Sequence, residues 1–142
     1  ILRMKNEFVQ HIHDLLSIFA EVECYRFFGG FGFKLGGIQF AMVMRNTLYF
    51  VVDSDLRDFF VSMGSEPFTY QTKAGTKKLQ RYYSVPDEIL EDHEKLADAQ
   101  NRSVAFAMKT NYKAQNARIV YTAIVPTTLI IFKLEGVRGR RG

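Results

Sequence analysis

The chain has 142 residues, a single cysteine and a formal net charge of +4. A chain of this length can bury a sizeable core without cross-links, and Cys24 alone allows neither an intrachain disulfide nor a cysteine-based zinc site, so a reducing compartment is expected. Hydrophobic residues make up 47% and charged residues 24%, a balance that excludes wholesale disorder.

The first predicted element is a helix over residues 6–22. Apolar residues recur there at helical spacing, so that they share one face that we expect to be buried. This predicted stripe consists of Phe8, Ile12, Leu15, Leu16 and Phe19.

Strand-like segments separated by short turns follow between residues 24 and 52. Phe31, Phe33 and Leu35 alternate with smaller or polar residues at the period of a strand. Gly29-Gly30 and Gly36-Gly37 favour primed hairpin turns, because these turns need positive φ angles. The segment therefore predicts a meander of three or four antiparallel strands.

A short helix is predicted after the meander. Asp53 supplies an N-cap oxygen, and Gly64 suits a left-handed C-cap. The expected buried stripe of this helix is Leu56, Phe59, Phe60 and Met63.

A second hairpin is predicted from residues 68–72 and 79–85, with its turn at Ala74-Gly75. A final helix begins at Pro86, is capped again at Asp92 and ends near residue 112. The element order α-β-β-β-β-α-β-β-α indicates an α+β fold. We expect an antiparallel sheet of about five to six strands, a meander plus a hairpin, packed with three helices.

The charge is divided unevenly along the chain. Residues 1–112 contain 13 basic and 14 acidic residues, whereas residues 113–142 contain 6 basic and 1 acidic residue. We therefore predict an α+β domain over residues 1–115 and a basic appendage over residues 116–142, with a strand at residues 119–125 and a second apolar run at 129–134. No signal peptide is predicted, because the start of the chain soon becomes polar at Asn6 and Glu7. No membrane span is predicted, because the longest apolar stretch, residues 119–134, is short and contains Pro126.

The residues that could carry catalysis do not form a recognised pattern. From Gly30 the glycine spacing is G-x-G-x-x-x-G, and a strand follows where a phosphate-binding loop needs a helix. His11 and His13 point in different directions on their helix, and we expect these two and His93 to be solvated at the surface. Cys24 lacks a nucleophile motif and is typical of a core cysteine. We predict no enzyme activity, no cofactor and no metal site.

Two groups of charged residues could contact a partner. The first group is acidic and lies at a predicted helix start, where negative charge is stabilised by the helix dipole; the group could instead meet a basic partner. Its members are Asp87, Glu88, Glu91, Asp92 and Glu94. The second group is basic and aromatic, which is the composition of a nucleic-acid stacking surface, although tyrosines in strands also pack within sheets. Its members are Lys73, Lys77, Lys78 and Arg81 with Tyr70, Tyr82 and Tyr83. Arginines of the appendage could contact phosphate without reading sequence: Arg138, Arg140 and Arg141.

Two blocks of sequence resemble the N-terminal domain of the TfoX/Sxy family over residues 8–112. The first block spans residues 26–33 (RFFGGFGF), followed by FAMV at 40–43 and LYF at 48–50. The second has EPFTY at residues 66–70 and YYSVPDEILED at 82–92. The residues that match the family motif, for which we predict a structural role, are Arg26, Gly29, Gly30, Gly32, Tyr82, Tyr83 and Pro86.

Members of this family are regulators of natural competence, the uptake of DNA. The resemblance implies a cytoplasmic, non-enzymatic coactivator that contacts the cAMP receptor protein or the transcription machinery. The contact surface is either the acidic helix start or the exposed edge of the sheet, and a homodimer is a further alternative. Full-length regulators carry a C-terminal domain resembling helix-hairpin-helix modules. Residues 136–139 depart from that motif, so residues 116–142 are interpreted as a truncated or diverged start of such a domain. The alternative function is a nucleic-acid-binding domain that uses Lys73–Arg81 and the basic tail.

Overall fold

The computed structural model describes residues 6–119, and the side chains up to residue 111. The chain divides into two compact units, Ile1–Ala107 and Met108–Gly142, and the second is described only where a helix enters it. The elements are α1 (Glu7–Leu16), β1 (Glu23–Phe27), β2 (Gly30–Leu35), β3 (Ile38–Met44), β4 (Thr47–Val51), α2 (Ser54–Val61), β5 (Pro67–Thr72), β6 (Gly75–Ser84), α3 (Asp87–Leu90) and α4 (His93–Ile119).

Some of the predicted features fall beyond this range. The predicted strand at residues 119–125 begins at Ile119, which the structure places at the end of α4, and its other residues lie outside the described range. The apolar run at 129–134 and Arg138, Arg140 and Arg141 also lie outside that range. The domain boundary at residue 115 stays a prediction. None of the described helices is both long enough and apolar enough to cross a membrane.

The six strands form one antiparallel sheet with the order β1-β2-β3-β4-β6-β5. The first four form the predicted meander, and α2 leads to β5, so that β6 returns between β4 and β5. The predicted α+β fold is confirmed. There are four described helices where three were predicted, because the last predicted helix is divided into α3 and α4.

The meander strands are joined by two-residue turns whose central residues have positive φ. These residues are Phe28 and Gly29, Gly36 and Gly37, and Arg45 and Asn46. The first turn thus lies one residue earlier than the predicted Gly29-Gly30, because Gly30 already pairs with Phe27 in the ladder. Phe28 has φ of 42°, a left-handed conformation that glycine or asparagine usually occupies in such turns.

The strand register defines one face of the sheet, which we call the helix face. Directly paired residues share a face, and the pairs run across four strands through Phe33, Ala41, Phe50 and Tyr83. The ring of His13 in α1 stacks on Phe33, and Phe60 of α2 lies against Phe50. The helices therefore bury this face of the sheet.

A β-bulge in β3 connects the sheet to α4. Phe33 pairs with Ala41 but Lys34 pairs with Gln39, so Phe40 is the extra residue. The Phe40 ring is fully buried 5.8 Å from that of Phe50. The hydroxyl of Ser103 in α4 donates to the Phe40 carbonyl at 3.0 Å. This buried bond satisfies a carbonyl that the bulge removes from the regular ladder.

Helix α1 is shorter than predicted. It ends at Leu16, not at residue 22, and the Ser17 N–H donates to the carbonyls of both His13 and Asp14. The ring of His13 bonds the Val22 carbonyl at 2.7 Å and holds the returning chain. Phe19, predicted to be buried, therefore lies beyond the helix and is 71% exposed. The residues of α1 that are buried are Val9, Ile12 and Leu16.

The ends of α2 have the predicted chemistry. The Asp53 carboxylate accepts from the Leu56 N–H at 2.8 Å. Gly64 has φ of 92°, and the bonds Ser65 N–H to Phe60 carbonyl and Gly64 N–H to Val61 carbonyl form a Schellman motif.

The buried stripe of α2 is narrower than predicted. Leu56 and Phe60 are fully buried, and Met63 packs partly against the core. Phe59 is 46% exposed, so its predicted burial is wrong. Adjacent helical residues point about 100° apart, so that of Phe59 and Phe60 the second faces the sheet and the first does not.

The last two helices have the predicted starts. Pro86 precedes α3, and the Asp92 carboxylate accepts from the N–H groups of Glu94 and Lys95 at the start of α4. Helix α4 continues to Ile119, beyond the predicted end near residue 112.

Candidate interaction surfaces

The face of the sheet opposite the helix face is here called the second face. Its register runs across five strands through Tyr25, Gly32, Met42, Tyr49 and Ser84. Tyr25 and Tyr49 stay partly exposed there, whereas Met42 beneath them is buried. Burial raises the pKa of both tyrosines above the ordinary value of 10.0, so their phenols stay neutral beyond the pH at which an exposed tyrosine ionises.

Gly32 provides room for an aromatic ring on the second face. A Cβ atom at Gly32 would lie 2.9 Å from ring atoms of Tyr25 and 2.9 Å from the Oε1 of Gln39. The ammonium of Lys34 lies 4.4 Å from the centre of the Tyr25 ring, a cation–π contact. The glycine lets Tyr25 lie flat across β2, where Lys34 covers it.

The other motif residues of the first block lie at the β1–β2 hairpin. Arg26 projects with its guanidinium 5.5 Å from the centre of the Phe31 ring. Gly29 takes the left-handed turn conformation, and Gly30 contacts the neighbouring strand too closely for a side chain. In the structure these residues shape and stabilise the hairpin.

The motif residues of the second block divide between the two faces. Tyr83 is buried on the helix face opposite Phe50. Tyr82 is buried on the second face, where its hydroxyl accepts from the amide of Gln39 at 3.1 Å. Burial raises the pKa of Tyr82, and the Gln39 bond partly opposes that shift. Pro86 supplies the carbonyl that accepts from the first turn of α3. Tyr82 and Tyr83 are thus packed in the sheet and cannot stack on a base.

The lysines of the basic group lie on an exposed hairpin, here called the β5–β6 arm (residues 68–79). Its turn is Lys73-Ala74, one residue before the predicted position, since Thr72 pairs with Gly75. Every residue from Gln71 to Arg81 is exposed. Tyr70 is 42% exposed and stacks on Phe68. The structure therefore brings Lys73, Lys77, Lys78 and Tyr70 together on the arm.

Charge is separated between the sheet and the rest of the described chain. The strands and their hairpin turns carry seven basic residues and one acidic residue, Glu23. The basic residues are Arg26, Lys34, Arg45, Lys73, Lys77, Lys78 and Arg81. The remaining part of residues 6–111 carries four basic and 13 acidic residues. The described side chains, with a net charge of −3, therefore combine a basic sheet with acidic helices and connections.

The predicted acidic group lies where α3 meets α4, and we call it the acidic corner: Asp87, Glu88, Glu91, Asp92 and Glu94. Asp92 is occupied in capping α4. Glu88, Glu91 and Glu94 are exposed, so their carboxylates are accessible to a partner.

The three histidines have different environments. His11 and His93 are exposed, as predicted. The prediction of a solvated His13 is wrong, because its ring is half-buried between Phe33 and the Val22 carbonyl. Among the described residues, no three His, Cys, Asp or Glu side chains come together in a group that could hold a metal ion.

Cys24 is half-buried in β1, and burial raises the pKa of its thiol from 9.0 to about 11. The folded state prefers the neutral thiol. Its contribution to stability is therefore present below pH 9 and is lost as the pH rises through 11.

We expect the native protein to react with iodoacetamide at pH 8 about 100-fold more slowly than the denatured protein, because two pKa units reduce the thiolate fraction by that factor. Mass spectrometry of the alkylated chain in buffer and in urea measures both rates. Equal rates would contradict the raised pKa.

Residues 14–107 match the family model described as the TfoX N-terminal domain. The chain belongs to this family. The matched region covers β1 to β6, α2, α3 and most of α4 up to residue 107. The family points to a role related to competence, the uptake of DNA. A comparison with curated proteins finds no match.

The sequence did not indicate the aromatic contacts that link the second face to the arm. The ring of Tyr49 lies 5.3 Å from that of Phe68, and the Arg45 guanidinium lies 5.4 Å from the Phe68 ring centre. Both contacts join residues about 20 positions apart. The alternation of apolar residues in β4 and β5 signals strands, but the pairing of β6 between them has no local signal.

Proposed function

We propose that this TfoX N-terminal domain protein is a non-enzymatic, cytoplasmic regulator of natural competence genes that acts with the cAMP receptor protein through protein–protein contact. The observation that carries the proposal is the family match over residues 14–107. The motif residues have packing roles, which suits a domain that functions through its surface and needs no reaction centre.

The acidic corner is the surface that we assign to the protein partner. Glu88 in α3, Glu91 between the two helices and Glu94 in the first turn of α4 are exposed within a short span. Together they present a patch of negative charge to a basic surface on a partner. Such complementarity mainly raises the association rate and the specificity of a contact.

A pull-down of the cAMP receptor protein with the full chain, together with a competence-gene reporter, tests this proposal. The variant Glu88→Gln/Glu91→Gln/Glu94→Gln should lose partner capture and reporter activation, since it removes three charges and keeps the side-chain shapes. The matched control Glu7→Gln/Glu21→Gln/Asp58→Asn removes three exposed acidic charges elsewhere and should keep both.

No capture of the receptor protein and no reporter response by the unmodified chain would overturn the regulatory role. Capture that is equally weakened in both variants would overturn the acidic corner as the contact, because net charge would then explain the effect.

A further inference from the structure

The β5–β6 arm leaves the sheet as a free two-stranded ribbon. Strand β6 pairs with β4 through residues 82–84, and beyond the pair of Val51 with Tyr82 the Val52 N–H donates to the Arg81 carbonyl at 2.9 Å. It pairs with β5 at Pro67 and Tyr83 and then again from Phe68 and Leu79 onward. From that second pair to the turn, the arm has no ladder partner other than itself among the described strands.

The root of the arm is held firmly on the second face. Phe68 is buried with its ring against Tyr49. The Arg45 guanidinium lies over that ring and donates to the Thr69 carbonyl at 3.0 Å. An exposed ribbon with an anchored root can be inserted into a partner without first becoming ordered, which limits the entropy lost on binding.

The two faces of the arm differ in chemistry. One face pairs Phe68 with Leu79 and Tyr70 with Lys77, and its apolar part is turned toward the root. The other face pairs Thr69 with Lys78 and Gln71 with Thr76. The Gln71 amide donates to the Thr76 hydroxyl at 2.8 Å. This second set is a row of hydrogen-bonding side chains, the kind that contacts base edges and phosphates.

The positive charges of the arm lie on both of its faces and at its tip. Lys77 and Lys78 project from opposite faces, and Lys73 lies in the turn at the tip. No acidic residue occurs from Pro67 to Pro86. A groove in DNA brings phosphates to both sides of an inserted ribbon, whereas an acidic protein surface would meet one face only. This distribution favours DNA over an acidic protein as the occupant.

The dimensions of the arm also suit duplex DNA. Its five residue pairs span about 14 Å at about 3.4 Å per residue, and its two strands lie about 4.8 Å apart. The major groove is about 12 Å wide and about 8.5 Å deep, and it admits a two-stranded ribbon. We propose that the β5–β6 arm binds duplex DNA in the major groove, with Lys73, Lys77 and Lys78 on phosphates and the Gln71–Thr76 pair over base edges.

This interaction does not rest on the regulatory role, because the arm and the acidic corner share no residue. The test measures the fluorescence anisotropy of a labelled 24-bp duplex, and of one of its single strands, with the full chain at 50–200 mM salt. The duplex should bind more tightly than the single strand. The variant Lys77→Ala/Lys78→Ala should reduce the slope of log affinity against log salt by about two, because each lysine neutralises one phosphate.

The matched control is Lys95→Ala/Lys109→Ala, which removes two exposed lysines from α4 and should leave the slope unchanged. Circular dichroism and the thermal midpoint of both variants check that the fold is retained. Methyl green, which occupies the major groove, should displace the protein, whereas distamycin, which occupies the minor groove, should not.

Three results would each overturn the proposal: equal affinity for duplex and single strand, duplex binding unaffected by Lys77→Ala/Lys78→Ala, or competition by polyglutamate as strong as that by unlabelled duplex. Displacement by distamycin alone would overturn the groove assignment. All of these outcomes are independent of capture of the cAMP receptor protein, so failure of DNA binding is distinguishable from failure of the regulatory role.

Discussion

Replacing Gly30 by alanine is expected to destabilise the protein by about 3 kcal/mol, the upper range for forcing extra volume into a packed site. A Cβ atom at Gly30 would overlap the carbonyl oxygen of Val43 and lie 2.6 Å from the Sδ of Met44. The Val43 carbonyl belongs to the backbone of central strand β3 and cannot rotate away. The β1–β2 hairpin would have to shift to accommodate the methyl group.

Gly29→Ala is the matched control for Gly30→Ala. It adds the same methyl group one residue earlier, where nothing lies within 4 Å of the new Cβ but the backbone has φ of 82°. This variant should lose about 1 kcal/mol of stability, because the alanine must adopt the left-handed conformation but meets no steric overlap. Urea unfolding followed by circular dichroism measures both variants. A smaller loss of stability in Gly30→Ala than in Gly29→Ala would contradict the steric role of Gly30.

Phe60→Ala is expected to cost about 3–5 kcal/mol, the usual range for removing a fully buried aromatic ring. Phe60 is fully buried and connects α2 to the sheet through Phe50, at 6.4 Å between ring centres. The truncation leaves a cavity beside the buried ring of Phe50, which the sheet holds in place. This loss is a large fraction of the stability of an ordinary small domain, so urea unfolding should begin at a much lower denaturant concentration.

Phe59→Ala tests the same truncation at the adjacent position of the same helix. Phe59 is 46% exposed, so its truncation should cost about 1 kcal/mol or less. The ratio of the two stability losses reports which side of α2 faces the sheet. Similar losses for the two variants would mean that both phenylalanines are buried, as the periodicity of the sequence suggested.

Much of the fold could be predicted because its signals are local. Gly36 and Gly37 take the positive φ angles that their hairpin turn requires, and Asp53 and Asp92 cap the helices that follow them. A turn or a cap involves residues within four positions of one another. Its chemistry can therefore be read without knowledge of the rest of the chain.

The errors arose where a local pattern had to specify a distant contact. Helical periodicity places Phe19 and Phe59 near apolar faces, but it does not say where a helix ends or how wide a face the sheet covers. The end of α1 depends on the bond of His13 to Val22 and on the ring of Phe33. The first contact reaches nine residues along the chain, and the second joins α1 to β2, so neither can be read from the periodicity of the helix.

The candidate surfaces were predicted in part. The lysines at positions 73, 77 and 78 were identified from composition, and the structure places them on one exposed ribbon. Tyr82 and Tyr83 were grouped with them, although alternation along β6 puts these two rings on opposite faces of the sheet, both buried. The root formed by Arg45 and Phe68 was missed, because it joins two hairpins across the sheet.

The distribution of charge shows most clearly how much depends on tertiary structure. Counting residues along the chain is enough to find that residues 1–112 are nearly neutral and that the basic excess lies in the last 30 residues. The basic sheet and acidic helices within that neutral region emerge only from the folded arrangement. The reason is that β6 pairs beside β4, which attaches the ribbon that carries the cations of residues 73–78 to the sheet that carries Lys34 and Arg45. Strand pairing between distant segments decides which charges become neighbours, and no local count of residues contains that information.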